Sequence, residues 1–151
     1  MATEHTTQVK LRIRAMEAED ISAVLEIDRK ITGLRRAVTY TDLKAGDLGG
    51  ALDLSFVAEA NSQVVGFILG RHAYIGEPVV EVGLIQILGV DPDYQRQGIA
   101  TKLVNSLIER CQSRGLKTVR VMANERDSQL QDFFVRMGFY RGHLVDYTKT
   151  L

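Results

Sequence analysis

The sequence Gly-Val-Asp-Pro-Asp-Tyr-Gln-Arg-Gln-Gly-Ile-Ala-Thr-Lys-Leu (Gly89–Leu103) joins two predicted elements through a polar, cationic loop. Val79–Val90 is rich in β-branched residues, which favours a buried strand. The helix begins at Gly98, where its first N–H groups lack intrahelical partners and lie at the positive end of the helix dipole. Gly98 and Ala100 are small enough for a phosphate to approach the backbone, and Arg96 adds positive charge. The stretch therefore predicts an anion-binding site.

Residues 95–100, Gln-Arg-Gln-Gly-Ile-Ala, match the Gln/Arg-x-x-Gly-x-Gly/Ala loop of the GNAT acetyltransferases. The preceding Leu88–Pro92 resembles the end of that family's fourth strand. The resemblance implies an α/β fold, the GNAT-like acyl-CoA N-acyltransferase fold, in which helices flank a central, twisted and splayed mixed sheet. It also implies that the loop amides bind the pyrophosphate of coenzyme A and that the splayed strand pairs with the pantetheine arm. The residues it assigns to the cofactor are Leu88, Val90, Gln95, Arg96, Gln97, Gly98, Ile99, Ala100, Thr101, Asn124 and Phe134.

The loop taken alone has a second interpretation, because a glycine between a strand and a helix often only lets the chain turn. Two other nucleotide-binding interpretations fail. A dinucleotide-binding fold needs G-x-G-x-x-G in an early βαβ unit, and a P-loop needs Gly-Lys-Ser/Thr; the sequence contains neither. The loop, the order of elements and the closing Arg136–Phe139 together favour acetyl-CoA binding.

Hydrophobic periodicity predicts one mixed α/β domain over residues 11–151, in the order β-α-(α)-β-β-β-α-β-α-β. Residues 1–10 are polar and are expected to be a disordered tail, and Leu34–Gly50 is predicted as a short helix with loops. The other predicted elements are a strand at Leu11–Met16, a helix ending near Thr32-Gly33, a hairpin of Leu54–Ala60 and Val64–Gly70, a strand at Val79–Val90, a helix at Gly98–Ser113, a strand at Thr118–Ala123, a helix at Ser128–Arg136, and strand-like residues at Phe139–Leu151.

Length and composition limit the class of protein. The chain has 151 residues, 45% hydrophobic and 25% charged, which is typical of a single domain with a buried core. Lys plus Arg and Asp plus Glu each number 19, and this balance argues against a nucleic-acid module, which needs an excess of cations. No apolar run approaches the ~18 residues that span a bilayer, so no membrane association is expected.

The single cysteine, Cys111, cannot form an internal disulfide, which fits a reducing, cytoplasmic location. Its apolar helical position predicts a core residue rather than a nucleophile. The histidines, His5, His72 and His143, show no metal-ligand spacing, so no metal is expected.

The reaction that the resemblance implies is transfer of an acetyl group from acetyl-CoA to a primary amine of a small molecule or a protein. The amine must lose a proton, and a general base assists this step. Glu81, near the start of the fourth strand, is the candidate base; the alternative is a solvated acid at a strand end. Counting back from the loop, Leu84 rather than an acid stands near one common family position, and Gln86 cannot act as a base.

The general acid departs from the family pattern. Family members often carry a tyrosine four residues before the Gly-Phe pair of the last helix, and Gly138-Phe139 places Phe134 at that position. Phe134 cannot donate a proton, so two explanations stay open. Tyr140 or Tyr147 replaces the missing acid, or the thiolate leaves unassisted, which costs only ~2 kcal/mol at pH 7 for a thiol of pKa ~8.5.

Three further expectations concern alternatives and partners. Phe134 leaves room for an acyl-CoA-binding sensor or interaction module without turnover. Propionyl- or succinyl-CoA is an alternative acyl donor. Members of the family commonly dimerise through their final strands, so a homodimer is among the expectations. No motif in this sequence indicates which amine is the acceptor.

Overall fold

The computed structural model of the protein describes residues 10–33 and 52–151. The predictions for the first nine residues and for residues 34–50 lie outside this part of the chain. The elements are β1 (Leu11–Ala15), a 3-10 turn (Ala18–Asp20), α1 (Ile21–Thr32), β2 (Phe56–Ala60), β3 (Gln63–Ile75), β4 (Val80–Val90), a 3-10 turn (Pro92–Tyr94), α2 (Ile99–Ser113), β5 (Val119–Val121) and α3 (Ser128–Arg136).

The five strands form one mixed sheet in the order β1-β2-β3-β4-β5. The first three pairings are antiparallel and β4–β5 is parallel, which confirms the predicted mixed sheet. Asn61 and Ser62 have φ angles of 53° and 67°, the left-handed geometry that a two-residue hairpin turn requires. The predicted hairpin is therefore confirmed, although β3 continues beyond Gly70 to Ile75.

Helices cover both faces of the sheet. The face under α2 holds the larger core, to which α3 adds Phe134, and α1 packs over the other face with Phe67 and Leu69. Cys111 is 1% exposed within the first core, as predicted. No helix within residues 10–33 and 52–151 is long and apolar enough to cross a bilayer.

Glycines beneath α2 set how closely the helix approaches the sheet. A Cβ at Gly70 would lie 2.5 Å from Leu107 Cδ1, and a Cβ at Gly83 would lie 2.4 Å from Cys111 Sγ. Real Cβ atoms are not found at such distances, so only glycine permits this packing. The close approach fixes α2, and with it the loop at its N-terminus, relative to β4.

An ion-pair network joins β1 and β2 to the start of α1. Arg14 donates to both carboxylate oxygens of Asp20, at 2.7 and 2.8 Å, and through Nε to Glu59 at 2.8 Å. The pKa of Asp20 is lowered, because the Arg14 hydrogen bonds and the Glu17 backbone N–H outweigh the burial that would raise it. The network therefore stabilises the fold when Asp20 is ionised.

The C-terminal end of the chain differs from the prediction. Residues 139–151 form no strand, and β5 covers only Val119–Val121. A segment of strand-forming residues becomes a strand only when it pairs with the edge of a neighbouring strand. No strand of the described chain pairs with residues 139–151. Asp127, rather than Ser128, caps α3 by accepting a hydrogen bond from the Leu130 N–H at 3.0 Å.

Candidate active site

A gap opens between β4 and β5 where β4 contains a bulge. The parallel pairing ends at Ile85–Val121, so β4 from Gln86 to Val90 has no partner on that edge within the described chain. At the same place the β3–β4 register shifts, because Leu69 faces Ile87 and Gly70 faces Ile85. Gln86 is thus the extra residue of the bulge. A bulge bends its strand and increases its twist, which accounts for the separation of β4 from β5.

The free edge of β4 offers peptide groups to a ligand. The Asp91 N–H donates to the Val65 carbonyl of β3 at 2.8 Å. Because alternate residues of a strand direct their peptide groups to opposite edges, those of Leu88 and Val90 point into the gap. The Val90 carbonyl accepts a long hydrogen bond from the Gln95 side-chain amide, at 3.5 Å. The open edge spans about 13 Å from Gln86 to Val90.

The loop after β4 presents backbone N–H groups at the helix start. Arg96 and Gly98 both have left-handed backbones, with φ angles of 67° and 76°. Gly98 is the N-cap and no side chain caps α2, whose first intrahelical bond runs from the Lys102 N–H to the Gly98 carbonyl at 3.1 Å. The N–H groups of residues 99–101 therefore remain available at the positive end of the helix dipole. Exposed N–H groups at the start of a helix are an arrangement that can bind an anion.

Space as well as charge suits this loop to a phosphate. A Cβ at Gly98 would meet no atom of the described residues within 4 Å, so these residues leave the backbone there open to a ligand. The side chains of Gln95, Arg96, Gln97 and Thr101 are exposed around it, whereas Ile99 is buried and anchors the helix to the core. The loop thus offers amide donors on a rigid support, which is what a pyrophosphate group requires.

Asp91 and Lys30 connect the end of β4 to α1. The buried Asp91 carboxylate accepts hydrogen bonds from the Asp93 N–H and from Lys30 Nζ, both at 3.0 Å. Burial raises the pKa of Asp91, but these two donors outweigh it and the net pKa is lowered. The sequence analysis did not single out Lys30, whose only signal was its position as a cation in the last turn of a helix.

Glu81 lies in a polar network away from the gap. Its carboxylate accepts a hydrogen bond from the Tyr74 hydroxyl at 2.8 Å and lies 3.2 Å from His72 Nδ1. His72 Nε2 lies 3.0 Å from Asp53, which forms an ion pair with Arg114. Glu81 precedes the last β4–β5 pair by four residues, about 13 Å along the strand. The network ties the β3–β4 hairpin to the end of α2.

The other predicted site residues, Phe134, Asn124 and Tyr140, lie in or around α3 rather than in β4 or its loop. Phe134 is 4% exposed, and its ring packs edge-on against Phe133 and Phe139, with centroids 5.1 and 5.0 Å away. Asn124 shapes the loop before α3 by accepting the Arg126 N–H at 2.8 Å. Tyr140 is 90% exposed in the segment that follows α3. The structure thus brings the loop and the β4 edge together but does not place Glu81 beside them.

Comparison with known proteins identifies the family. The sequence profile of the acetyltransferase (GNAT) family matches residues 20–139, which is most of the chain. The chain belongs to the GNAT acetyltransferase family. An uncharacterised N-acetyltransferase of Methanocaldococcus jannaschii is 33% identical over 91 residues. The match covers 60% of this GNAT chain and 40% of that relative, so the matched segment spans less than half of the relative's length.

Solved structures show the same GNAT fold. The aminoglycoside N-acetyltransferase AAC(6')-Iy in complex with CoA has a TM-score of 0.77 at 15% identity, covering 94% of this chain and 95% of that one. Arabidopsis thaliana Naa50, in complex with the bisubstrate analogue CoA-Ac-MVNAL, has a TM-score of 0.70 at 17% identity, covering 89% of this chain and 86% of that one. At these identities the likeness establishes the fold alone, and the mixed sheet with flanking helices agrees with the expected fold class.

Proposed function

We propose that this protein is an acetyl-CoA-dependent N-acetyltransferase that acetylates a primary amine of a small molecule or a protein. The observation that carries the proposal is the continuity of two features: the uncapped start of α2 and the unpaired edge of β4. Together they form an anion site followed by a strip of peptide groups about 13 Å long. The two solved structures described above, whose complexes contain CoA or a CoA analogue, support the same interpretation.

Within this proposal, the backbone amides of residues 95–101 hold the pyrophosphate and the exposed Arg96 adds positive charge. The peptide groups of Leu88 and Val90 pair with the pantetheine arm, in the manner of an added strand. The acetyl group then lies near the closed end of the gap at Ile85–Val121. The cofactor roles of Asn124 and Phe134 stay predictions, since the described contacts of both residues are local turn and core contacts.

Proton removal from the amine sets the first energetic requirement. At pH 7 a lysine-like amine of pKa ~10.4 is ~4.6 kcal/mol from its neutral form, whereas an α-amine of pKa ~8 is only about 1.4 kcal/mol away. An α-amine can therefore lose its proton to water without a strong base. Glu81 stays the predicted base, but its distance from the gap is far greater than the ~3 Å at which a base takes a proton directly.

The pH dependence of Glu81→Gln tests this role. If Glu81 acts only through its contacts with Tyr74 and His72, kcat/KM of the variant should stay within about threefold of wild type and keep the same pH profile. Loss of the ascending limb of the profile, together with a fall of 100-fold or more, would establish Glu81 as the base. Asp53→Asn serves as a matched control, because it disturbs the same network from its other end.

Attack of the amine on the thioester carbonyl produces an oxyanion, which the backbone of β4 stabilises in this proposal. A peptide N–H of residues 88–90 that points into the gap donates to the oxygen of the reacting carbonyl, and a preorganised donor of this kind contributes ~2.7–4 kcal/mol. Two routes stay open for the departing thiolate: it leaves unassisted, at a cost of only ~2 kcal/mol at pH 7, or a tyrosine protonates it. Tyr140 stays the predicted acid, and its side chain is exposed in the segment that follows α3.

Calorimetric titration with acetyl-CoA is the decisive experiment, with ATP and NAD as controls. Selective micromolar binding would support the cofactor class and justify screening amines for release of free thiol. The absence of acetyl-CoA binding by folded protein would mean that the loop at Gly98 is only a turn. Competition among acetyl-, propionyl- and succinyl-CoA would then identify the acyl donor.

A second candidate function is acyl-CoA sensing without turnover. The observation that favours it is Phe134, which replaces the tyrosine often found in the family and lies buried in the core. A sensor would bind acetyl-CoA but release no thiol with any amine. Thiol release above the hydrolytic background with one amine rejects it.

A homodimer is part of the proposal, and the exposed apolar residues that follow α3 support it. Val145, Tyr147 and Leu151 are exposed by 74%, 92% and 108%. Apolar side chains left exposed in one segment offer apolar surface that a second copy of the chain can cover. Sedimentation equilibrium should show a dimer, and the double variant Val145→Ser, Tyr147→Ser should dissociate it. A monomer at all concentrations would contradict the proposed homodimer.

The cytoplasmic location and the absence of a metal stay predictions.

A further inference from the structure

Arg120 lies on the face of the sheet opposite α2, beside the closed end of the gap. Its neighbours Val119 and Val121 pack against the α2 core, so alternation along β5 directs Arg120 to the other face. Arg120 pairs with Leu84 of β4, one residue before the last β4–β5 pair. An acceptor that reaches the gap from the face away from α2 would therefore pass this side chain.

The guanidinium of Arg120 has no partner in the described part of the chain. Its Nε atom is buried without a hydrogen bond, and the side chain makes no ion pair with a described residue. Buried polar groups of native proteins are nearly always satisfied, so an unsatisfied one requires an explanation. Nε is enclosed by protein, whereas Nη1 and Nη2 are accessible and can donate hydrogen bonds to a water molecule or to an anionic ligand group.

The surroundings of Arg120 leave its outer nitrogens close to backbone rather than to acids. A Cβ at Gly142 would lie 3.5 Å from Nη1, and a Cβ at Gly76 would lie 3.6 Å from Nη2. Arg71, on the neighbouring strand, also faces Leu84 and is likewise unpaired among the described residues. Two guanidinium groups thus flank Leu84 on this face, and no carboxylate of the described chain neutralises either one.

We propose that Arg120 binds a carboxylate of the acceptor and thereby selects amines that carry an acidic group. This inference rests on the proposed N-acetyltransferase function and adds a substrate class to it. The side chain reaches from the gap toward the β3–β4 turn at Gly76. The preferred acceptor therefore has its carboxylate several bonds away from its amine, as in an ω-amino acid or a short peptide.

The test compares ω-amino acids of increasing chain length with their carboxamides, using thiol release from acetyl-CoA. Wild type should prefer each acid over its amide by about 10- to 100-fold in kcat/KM, because charge-assisted hydrogen bonds to a carboxylate are lost in the amide. Arg120→Gln should abolish the preference and Arg120→Lys should keep part of it. Lys117→Gln removes the same charge from an exposed position nearby and should leave the preference unchanged.

The outcomes separate this inference from the proposed function. Transfer to any amine supports the proposed function, and the acid-to-amide ratio alone tests Arg120. A wild-type ratio near one, acetylation of carboxylate-free amines only, or an unchanged ratio in Arg120→Gln would overturn the inference while leaving the transferase intact.

Discussion

The uncapped start of α2 makes Gly98 the most direct position at which to test the anion site. Gly98→Glu adds a carboxylate where a Cβ would meet no atom of residues 10–33 and 52–151 within 4 Å, so the side chain enters the space proposed for the pyrophosphate. Gly115 provides a matched control at the other end of the same helix. It has a φ angle of 77°, close to the 76° of Gly98, and its Cβ position is equally open.

The magnitudes distinguish the two variants. Each places a side chain in the left-handed region, which costs about 1–2 kcal/mol of stability. A chain of this size should then lose about 2–8 °C in Tm in both variants. Only Gly98→Glu adds repulsion toward the phosphate: at an effective dielectric constant of ~20, a carboxylate about 5 Å from one phosphate charge costs about 3 kcal/mol. That cost weakens the Kd for acetyl-CoA by roughly 100-fold.

Titration calorimetry with acetyl-CoA measures the difference, after circular dichroism has shown that both variants are folded. Gly98→Ala should fall between wild type and Gly98→Glu, since it adds strain and bulk without charge. Raising the salt concentration should recover part of the loss in Gly98→Glu, because screening weakens exposed charge repulsion. If Gly98→Glu and Gly115→Glu bind acetyl-CoA equally well, the loop does not hold the pyrophosphate and the site assignment is wrong.

Three further predictions concern the packing, the pH dependence and the missing tyrosine. Gly83→Ala should lower the free energy of unfolding by about 1–3 kcal/mol, because its Cβ would lie 2.4 Å from Cys111 Sγ; in urea titrations Cys111→Ala should rescue part of that loss, and strict additivity would contradict the contact. Asp20 has a lowered folded pKa through its bond to Arg14, so the stability advantage of wild type over Asp20→Asn should be complete above the unfolded value near pH ~4 and disappear as the pH falls through the folded pKa. A difference independent of pH between 2 and 7 would count against that network. Phe134→Tyr should cost about 1–3 kcal/mol by burying an unpaired hydroxyl, whereas a higher kcat in a stable variant would show that this position reaches the reacting sulfur.

Local patterns predicted much of the fold because they act over a few residues. The apolar periodicity predicted a helix at Gly98–Ser113, which agrees to within one residue with the observed Ile99–Ser113. The hairpin of β2 and β3 was predicted from its two strand-like runs, and Asn61 and Ser62 between them adopt the left-handed geometry that such turns need. Residues 139–151 show the limit of this reasoning, because strand propensity without a neighbouring edge produced no strand.

The candidate site, like the fold, was predicted from the sequence only in part. The small residues at 98 and 100 and the strand–turn–helix order predicted a loop that a phosphate can approach, since a helix start has free N–H groups wherever it occurs. The position of the candidate base could not be predicted from the sequence. In the structure, Glu81 contacts His72 and Tyr74 and does not lie beside the gap. Such a contact joins residues seven to nine positions apart through strand pairing, and a one-dimensional pattern does not specify it.

The sequence by itself determined where the chain turns, where α2 begins and which loop can face a phosphate, since these depend on neighbouring residues and backbone sterics. Tertiary structure alone determined that β4 separates from β5 after Ile85, because this depends on the register between β3 and β4 and on the bulge at Gln86. It also determined that Arg120 remains unpaired among the described residues, beside Gly76 and Gly142. Register and long-range contacts arise from the packing of the whole sheet against its helices, and no short stretch of sequence encodes them.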